Sequence, residues 1–147
     1  MNDSIAQAGQ ASEPVIRMQG VHKWFGQFHV LKDINLNIAK GEFISIIGHS
    51  GCGKSTLMNL IGMLDRPTEG AYAFNGEPVY AKQDAELASY RSKNIGFIFQ
   101  NFNLIGRIDA LQNVAMPMMY AGVPKREREE RAVELLERMG MGDRIHH

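Results

Sequence analysis

Nine consecutive residues carry the clearest chemistry in this sequence. They run from Gly48 to Thr56, read Gly-His-Ser-Gly-Cys-Gly-Lys-Ser-Thr, and fit the phosphate-binding pattern G-x-x-x-x-G-K-[ST]. A triphosphate is a dense anion, and such a loop binds it with backbone N–H groups and the positive end of the following helix. Gly48, Gly51 and Gly53 would let the backbone approach the phosphates without a clash from a Cβ atom.

The polar residues at the end of the loop have separate expected roles. Lys54 would reach the β- and γ-phosphates, the Ser55 hydroxyl would ligate Mg²⁺, and Thr56 is a candidate contact for the α-phosphate. The predicted nucleotide site comprises the whole loop, including His49, Ser50 and Cys52. The alternative is a glycine-rich turn that caps an ordinary helix, and the full spacing of the pattern disfavours it.

Two apolar segments are predicted to position this chemistry. Residues 43–47 predict a strand buried on both faces, and apolar residues at helical spacing follow the loop, which is the strand–loop–helix setting that the pattern requires. Residues 95–99 predict a second buried strand, with Gln100 at its carboxyl end. Ligands bind where the carboxyl ends of parallel strands meet, so Gln100 is expected at the same edge, able to orient a water or complete a metal shell. The alternative for Gln100 is a capping or loop residue.

The remaining segments predict a small antiparallel sheet and a helical region. One strand is predicted from Val15 to a turn at 24–26 and a second at 30–38, and these two antiparallel strands are expected to precede the phosphate loop. A further strand is predicted at 71–76, and helices at 84–93, 110–121 and 125–139. Pro117 is expected to kink the second of these helices. Residues 1–14 are small and polar, and we expect a disordered lead-in there.

Several clusters admit two interpretations. Trp24 and Phe25 either pack on the small sheet or form a platform on which a base stacks. The methionine-rich residues 116–119 either fill the core or offer a pliant surface to a partner helix. The last helix carries balanced charges and is interpreted as a solvated surface. His146 and His147 have no further ligand at recognisable spacing, so no metal site is predicted there.

The composition narrows the class of protein. Sixteen basic and sixteen acidic residues cancel, so no net charge attracts nucleic acid, and no nucleic-acid partner is expected. The one cysteine, Cys52, excludes an internal disulfide framework and fits a reducing compartment. No apolar run approaches the about 20 residues that cross a bilayer, and the first residues lack the pattern of a signal peptide. A soluble, cytoplasmic, single-domain chain is expected.

With these segments in place, the sequence resembles the ATP-binding subunit of ABC transporters from about Val15 to the end. The matching stretches are residues 23–26, 30–34, 41–43, the phosphate loop and 95–100. Residues 58–70 and 101–104 are most similar to the macrolide-export and lipoprotein-release branch. The resemblance implies an α/β fold with a P-loop NTPase core at 43–100, an antiparallel β subdomain at about 15–42 and a helical subdomain at 101–147.

The resemblance also implies site residues and cofactors. Phe25 would stack on adenine, and Val30 would pack beside the base. Gln100 would join Mg²⁺ and the attacking water, so Lys54 and Gln100 are the catalytic candidates, and Ser55 and Gln100 are the metal candidates. The implied cofactors are ATP and Mg²⁺.

Two partners and a location are implied in the same way. Residues from about 101 to 140 would receive a transmembrane permease subunit or domain. This favours the interpretation of residues 116–119 as a surface for a partner helix. A second ATP-binding subunit would complete a dimer when ATP binds. The chain would lie at the inner face of the cell membrane as a peripheral subunit.

The family pattern is incomplete in this sequence. Family members continue into an LSGGQ-type signature, a Walker B strand ending in Asp and Glu, and a switch histidine, and none of these occurs before His147. Transfer of a phosphoryl group to water needs Mg²⁺ held by more than one ligand and a positioned water, so we expect negligible ATP hydrolysis by this polypeptide alone. The fold would be truncated before the signature motif, which would expose the edges of the strands at 43–47 and 95–99.

Two other functions remain open at this point. One is a truncated module that binds nucleotide or a membrane partner without catalysis. The other is an unrelated phosphate-loop kinase or GTPase, which is disfavoured because the sequence shows neither a base-specifying GTPase motif nor a kinase lid.

Overall fold

The computed structural model of the protein describes residues 13–101 and 103–147. Apart from its last two residues, the predicted lead-in at 1–14 lies outside this described part. The chain divides into two compact units, the first ending at Ile95 and the second beginning at Gly96. In the described part no helix is long and apolar enough to cross a membrane.

The first unit is built on a four-stranded antiparallel sheet. Its strands are β1 (Ile16–Phe25), β2 (Phe28–Ile38), β3 (Glu69–Phe74) and β4 (Glu77–Pro78), in the spatial order β2-β1-β3-β4. β1 and β2 form a hairpin that turns at Gly26, whose φ of 59° is a left-handed conformation that suits glycine. The prediction of two antiparallel strands before the phosphate loop is confirmed.

The core of the first unit lies between this sheet and the helices α1 (Lys54–Ile61) and α2 (Asp84–Asn94). Its buried residues are Ile16, Met18, Val21, Leu31, Leu60, Met63, Tyr72, Phe74, Val79 and Leu87. Tyr72 is fully buried, and its hydroxyl donates a hydrogen bond to Ile61 O at 2.7 Å. This bond satisfies the one polar end of a buried ring and joins β3 to the last turn of α1.

Residues 43–47 and 95–99 do not form the strands that their apolar runs predict. Phe43 and Ile47 are 90% and 92% exposed, and Ile98 is fully exposed. A strand exists only where its N–H and C=O groups find partners on a neighbouring strand. Within residues 13–101 and 103–147, no strand pairs with either segment. The prediction of buried strands here was therefore wrong, because the apolar pattern presupposes pairing partners that the described residues do not supply.

The second unit is a helical pair followed by a short turn of 3₁₀ helix. The helices are α3 (Ala110–Tyr120) and α4 (Lys125–Arg138), and the 3₁₀ turn spans Gly142–Arg144. Ala115, Ala132 and Leu136 are buried between them. α3 continues for three residues beyond Pro117, and both predicted helices are confirmed.

Both ends of this helical pair are held by specific groups. The Asp109 carboxylate accepts a hydrogen bond from Gln112 N at 2.7 Å and so caps α3. That bond, and then the nearby His146, hold the pKa of Asp109 below its usual value. Gly140, with a φ of 70°, ends α4 in the left-handed conformation common after helices.

The Tyr72–Ile61 hydrogen bond generates a stability prediction. Tyr72→Phe should lower the free energy of unfolding by about 1 kcal/mol at neutral pH, because the half-buried Ile61 residue loses the donor to its carbonyl. Burial also raises the pKa of Tyr72 above its ordinary value of about 10. The folded state therefore keeps the neutral phenol, and this stability is full below about pH 10 and declines as pH rises through the higher folded pKa. Urea unfolding should show a constant gap between wild type and variant from about pH 7 to about pH 9, and a smaller gap at about pH 11.

Tyr80→Phe is the matched control, because the Tyr80 side chain is largely exposed. It should change the free energy of unfolding by less than about 0.5 kcal/mol. A gap between wild type and Tyr72→Phe that stays constant up to pH 11 would contradict the assignment.

Candidate functional site

The predicted phosphate loop runs directly into the amino end of α1, which begins at Lys54. Gly53 precedes the helix in a left-handed conformation, with φ 92° and ψ 7°, and no side chain of the described residues caps this end. The first helical bond runs from Leu57 N to Gly53 O at 2.9 Å. An amino end without a side-chain cap offers its N–H donors and the positive end of the helix dipole to an anion. The loop therefore has the local geometry of a phosphate site.

Gly53 also sets how closely the loop approaches the sheet. A Cβ atom at Gly53 would lie 3.0 Å from Leu31 Cδ2 and 3.4 Å from Val30 Cγ1. The loop thus packs directly on β2, and Val30, a predicted neighbour of the base, lies against its carboxyl end. Gly51 has a φ of 79° with open space around it, and a Cβ atom at Gly48 would clash with the Cys52 sulfur. Gly53 therefore permits the close approach to β2, Gly51 adopts a left-handed backbone conformation, and Gly48 avoids a clash with Cys52.

Lys54 closes over the loop from the first turn of α1. Its Nζ donates hydrogen bonds to Gly48 O at 2.7 Å and His49 O at 2.6 Å, and it lies 3.6 Å from Cys52 Sγ. The ammonium therefore interacts with neutral acceptors at the mouth of the loop. A phosphate oxygen is a charged acceptor and would form the stronger hydrogen bond with the same group.

The other polar residues of the loop lie around the same mouth. His49 Nδ1 lies 2.9 Å from Ser50 O, and Cys52 is exposed. Ser55 is exposed and Thr56 half-buried in the first turn of α1. The structure thus brings all nine predicted loop residues together at one end of the helix.

The two upstream aromatic residues have different surroundings. The Trp24 ring stacks on the His29 ring with centroids 3.8 Å apart, and His22 extends this stack. Phe25 is 53% exposed at the hairpin end, and Lys23 Nζ lies over its ring at 5.0 Å from the centroid. Trp24 is therefore packed against its own sheet, whereas Phe25 retains accessible ring surface for a base.

Gln100 lies in the second unit, in an irregular segment, and is exposed. The expectation for Gln100 depended on a strand at 95–99 whose carboxyl end would meet the loop edge. That strand is absent from these described residues. The catalytic and metal-binding roles of Gln100 stay predictions.

Sequence reasoning missed two groups beside the hairpin. Lys23 Nζ contacts Asp65 Oδ1 at 2.7 Å and Arg66 O at 2.8 Å, although the residues are far apart in the chain. His22 Nδ1 and His29 Nε2 lie 3.0 Å apart, and desolvation and then His22 lower the pKa of His29. The histidine pair follows from the hairpin register, which places residues 22 and 29 near each other, whereas nothing local to Lys23 indicates Asp65.

The chain thus combines a four-stranded antiparallel sheet, a loop with the pattern and local geometry of a phosphate site, and a helical pair. The chain belongs to the ABC transporter family, whose sequence pattern matches residues 31–147. The resemblance and fold class predicted from the residues are confirmed.

Two relatives illustrate the match. The chain is 52% identical over 120 residues to the uncharacterized ABC transporter ATP-binding protein YknY of Bacillus subtilis, covering 82% of this chain and 52% of that protein. It is 48% identical over 139 residues to the macrolide export ATP-binding/permease protein MacB of Wolinella succinogenes, covering 92% of this chain and 22% of MacB. The chain thus spans about half the length of YknY and about a fifth of MacB.

Solved structures agree with this assignment. The dimeric bacterial ABC transporter cassette MJ0796 matches with a TM-score of 0.79 and 39% identity, over 90% of this chain and 60% of that one. The same cassette in a dimeric post-hydrolysis state, bound to ADP and Pi, matches with a TM-score of 0.73 and 42% identity, over 83% and 56%.

The contact of Gly53 with β2 generates a second prediction. Gly53→Ala should lower the free energy of unfolding by about 2 kcal/mol or more, because alanine at this φ is strained and its Cβ also crowds Leu31. Gly51→Ala, at a similar φ in open space, should cost only the backbone strain of about 1 kcal/mol. Urea unfolding of both variants measures the difference, and equal losses would show that the contact with β2 is unimportant.

Proposed function

We propose that this chain is the ATP-binding module of an ABC transporter that couples ATP binding and hydrolysis to export across, or extraction from, a membrane. The observation that carries the proposal is the phosphate loop at 48–56, which ends in an uncapped helix with Lys54 at its mouth. The relatives support it, because YknY is named as an ATP-binding protein, MacB as a macrolide export ATP-binding/permease protein, and MJ0796 has been solved with ADP and Pi.

The residues present fit a nucleoside triphosphate and its Mg²⁺. Backbone N–H groups of the loop and the α1 amino end bind the phosphates, and Lys54 exchanges its carbonyl partners for the β- and γ-phosphates. Ser55 offers an exposed hydroxyl as a Mg²⁺ ligand, and Thr56 contacts the α-phosphate. Bound Mg²⁺ would neutralise charge on the phosphates. Phe25 stacks on the adenine, with Val30 beside it.

Partner binding is assigned to the second unit. A groove of about 280 Å³ between α3 and α4 is lined by apolar and charged side chains. Its apolar lining includes Leu111, Ala115 and the methionines Met116 and Met119, and Met119 is partly exposed. An apolar groove with flexible methionine side chains suits a helix of a permease subunit or domain. A second ATP-binding subunit is the other proposed partner, as in the dimeric MJ0796 structures.

ATP binding tests the central claim. Lys54→Ala should weaken binding of Mg-ATP at least tenfold, because a charge-assisted contact to the β- and γ-phosphates is removed. Isothermal titration calorimetry measures this directly. Lys93→Ala is the control, since it removes the same charge from the exposed side of α2 and should leave the affinity unchanged. Equal affinities of wild type and Lys54→Ala would contradict the proposed site.

Hydrolysis is expected to need more than this polypeptide. The sequence contains no Walker B carboxylates to complete a Mg²⁺ shell and activate a water. Release of phosphate from ATP by the purified 147-residue chain should therefore equal that of Lys54→Ala. Turnover above that background would show that the chain carries a complete catalytic site.

A further inference from the structure

We propose that Lys23, anchored by Asp65, is the positioning residue that fixes the Phe25 ring for stacking on adenine. This inference deepens the proposed function and rests on it, because Phe25 has a base to meet only if the chain binds ATP. It assigns to Lys23 a contribution to base recognition without contact to the nucleotide.

The Lys23 ammonium is fixed by three groups. Its Nζ lies 2.7 Å from Asp65 Oδ1, 2.8 Å from Arg66 O and 5.0 Å from the centroid of the Phe25 ring. The lysine side chain is only 11% exposed. A charged side chain with so little exposure needs hydrogen-bond partners of defined geometry. Asp65 and the Arg66 carbonyl are these partners, and they determine where the ammonium lies relative to the Phe25 ring.

Asp65 is itself fixed to the end of α1. Its Oδ1 also accepts a hydrogen bond from Arg66 N at 2.7 Å. Its own N–H donates to Asn59 O at 3.3 Å, within the helix that begins at the phosphate loop. The contacts therefore form a continuous series from the loop through α1 and Asp65 to Lys23 and the Phe25 ring.

The backbone around Lys23 is held on both sides by Thr68. Thr68 N donates to His22 O at 2.9 Å, and Trp24 N donates to Thr68 Oγ1 at 3.1 Å. The strand at residue 23 therefore cannot easily shift to follow a displaced ammonium. The Phe25 ring lies beyond these bonds, next to the hairpin turn, with 53% of its surface exposed. The ammonium over this exposed ring restricts its rotamers.

The test compares ligands with and without a base. Lys23→Met keeps the length of the side chain and removes the charge. It should weaken binding of ATP about fivefold, which is the scale of ordering one freed side chain on binding, and leave binding of inorganic tripolyphosphate unchanged. Trp24 is the one tryptophan of the sequence and adjoins Phe25. Energy transfer from Trp24 to a fluorescent methylanthraniloyl-ATP therefore measures binding of the nucleotide near Phe25. Unlabelled ATP and tripolyphosphate are then measured by displacement.

Three variants separate positioning from general stability. Lys82→Met is the matched control, because Lys82 is 13% exposed, pairs with Glu77 at 2.7 Å and lies over the Tyr90 ring at 4.5 Å. It should leave the ratio of ATP to tripolyphosphate affinity unchanged. Lys23→Arg keeps the cation and should restore the wild-type ratio. In a Phe25→Ala background, Lys23→Met should have no further effect on the ratio.

The outcomes distinguish this inference from the proposed function. Wild-type protein that binds no ATP overturns both. If wild type binds ATP and Phe25→Ala lowers the affinity ratio, but Lys23→Met lowers both affinities equally or neither, only the positioning role fails. Should Lys23→Met not fold, Asp65→Asn removes the anchor and keeps the lysine. It should lower the ratio in the same direction, and an unchanged ratio overturns the inference.

Discussion

The contact of Gly53 with β2 is the constraint on which the rest of the site depends. Because Gly53 has no Cβ, the loop lies directly against Leu31 and Val30, where a Cβ atom would come within 3.0 Å of the Leu31 side chain. That approach fixes where α1 begins, and so where its N–H groups and Lys54 are directed. The far end of α1 is fixed independently by the Tyr72 hydroxyl. A short helix held at both ends can present its amino terminus in a constant position to a ligand.

The Lys54 ammonium finds its hydrogen-bond acceptors within the loop itself. Lys54 bonds to Gly48 O and His49 O, so the cation holds the loop closed around the place where phosphates would lie. Exchanging these carbonyls for phosphate oxygens keeps the number of acceptors and increases their charge. The packing of Gly53 on β2 does not depend on this exchange, so that part of the loop stays ordered while Lys54 changes partners, and less of the interaction is lost to ordering the chain.

The features that could be predicted from the sequence are those set by interactions between residues close together in the chain. The β1–β2 hairpin, α3 and α4 were predictable because their periodicity and caps are local, and the loop was predictable because its pattern states its chemistry. The segments 43–47 and 95–99 were not, since an apolar run does not reveal whether a pairing strand is present. The same limit affected Gln100, whose expected place depended on such a strand. The ion pair between Lys23 and Asp65 could not be predicted, because a single lysine in a strand does not indicate a partner after the next helix.

The missing strand pairing bears on how the nucleotide site is supported. Ile47 immediately precedes the loop and is largely exposed, and among the residues that the structure describes no strand packs beneath the amino-terminal side of the loop. Support comes instead from β2 through Gly53 and from β3 through the end of α1. Both supports belong to the antiparallel sheet, which also carries Phe25 on β1. In this chain the small sheet therefore positions the groups assigned to the phosphates as well as the group assigned to the base. A change in its packing should affect phosphate and base recognition together, whereas a change confined to Lys23 should affect the base alone.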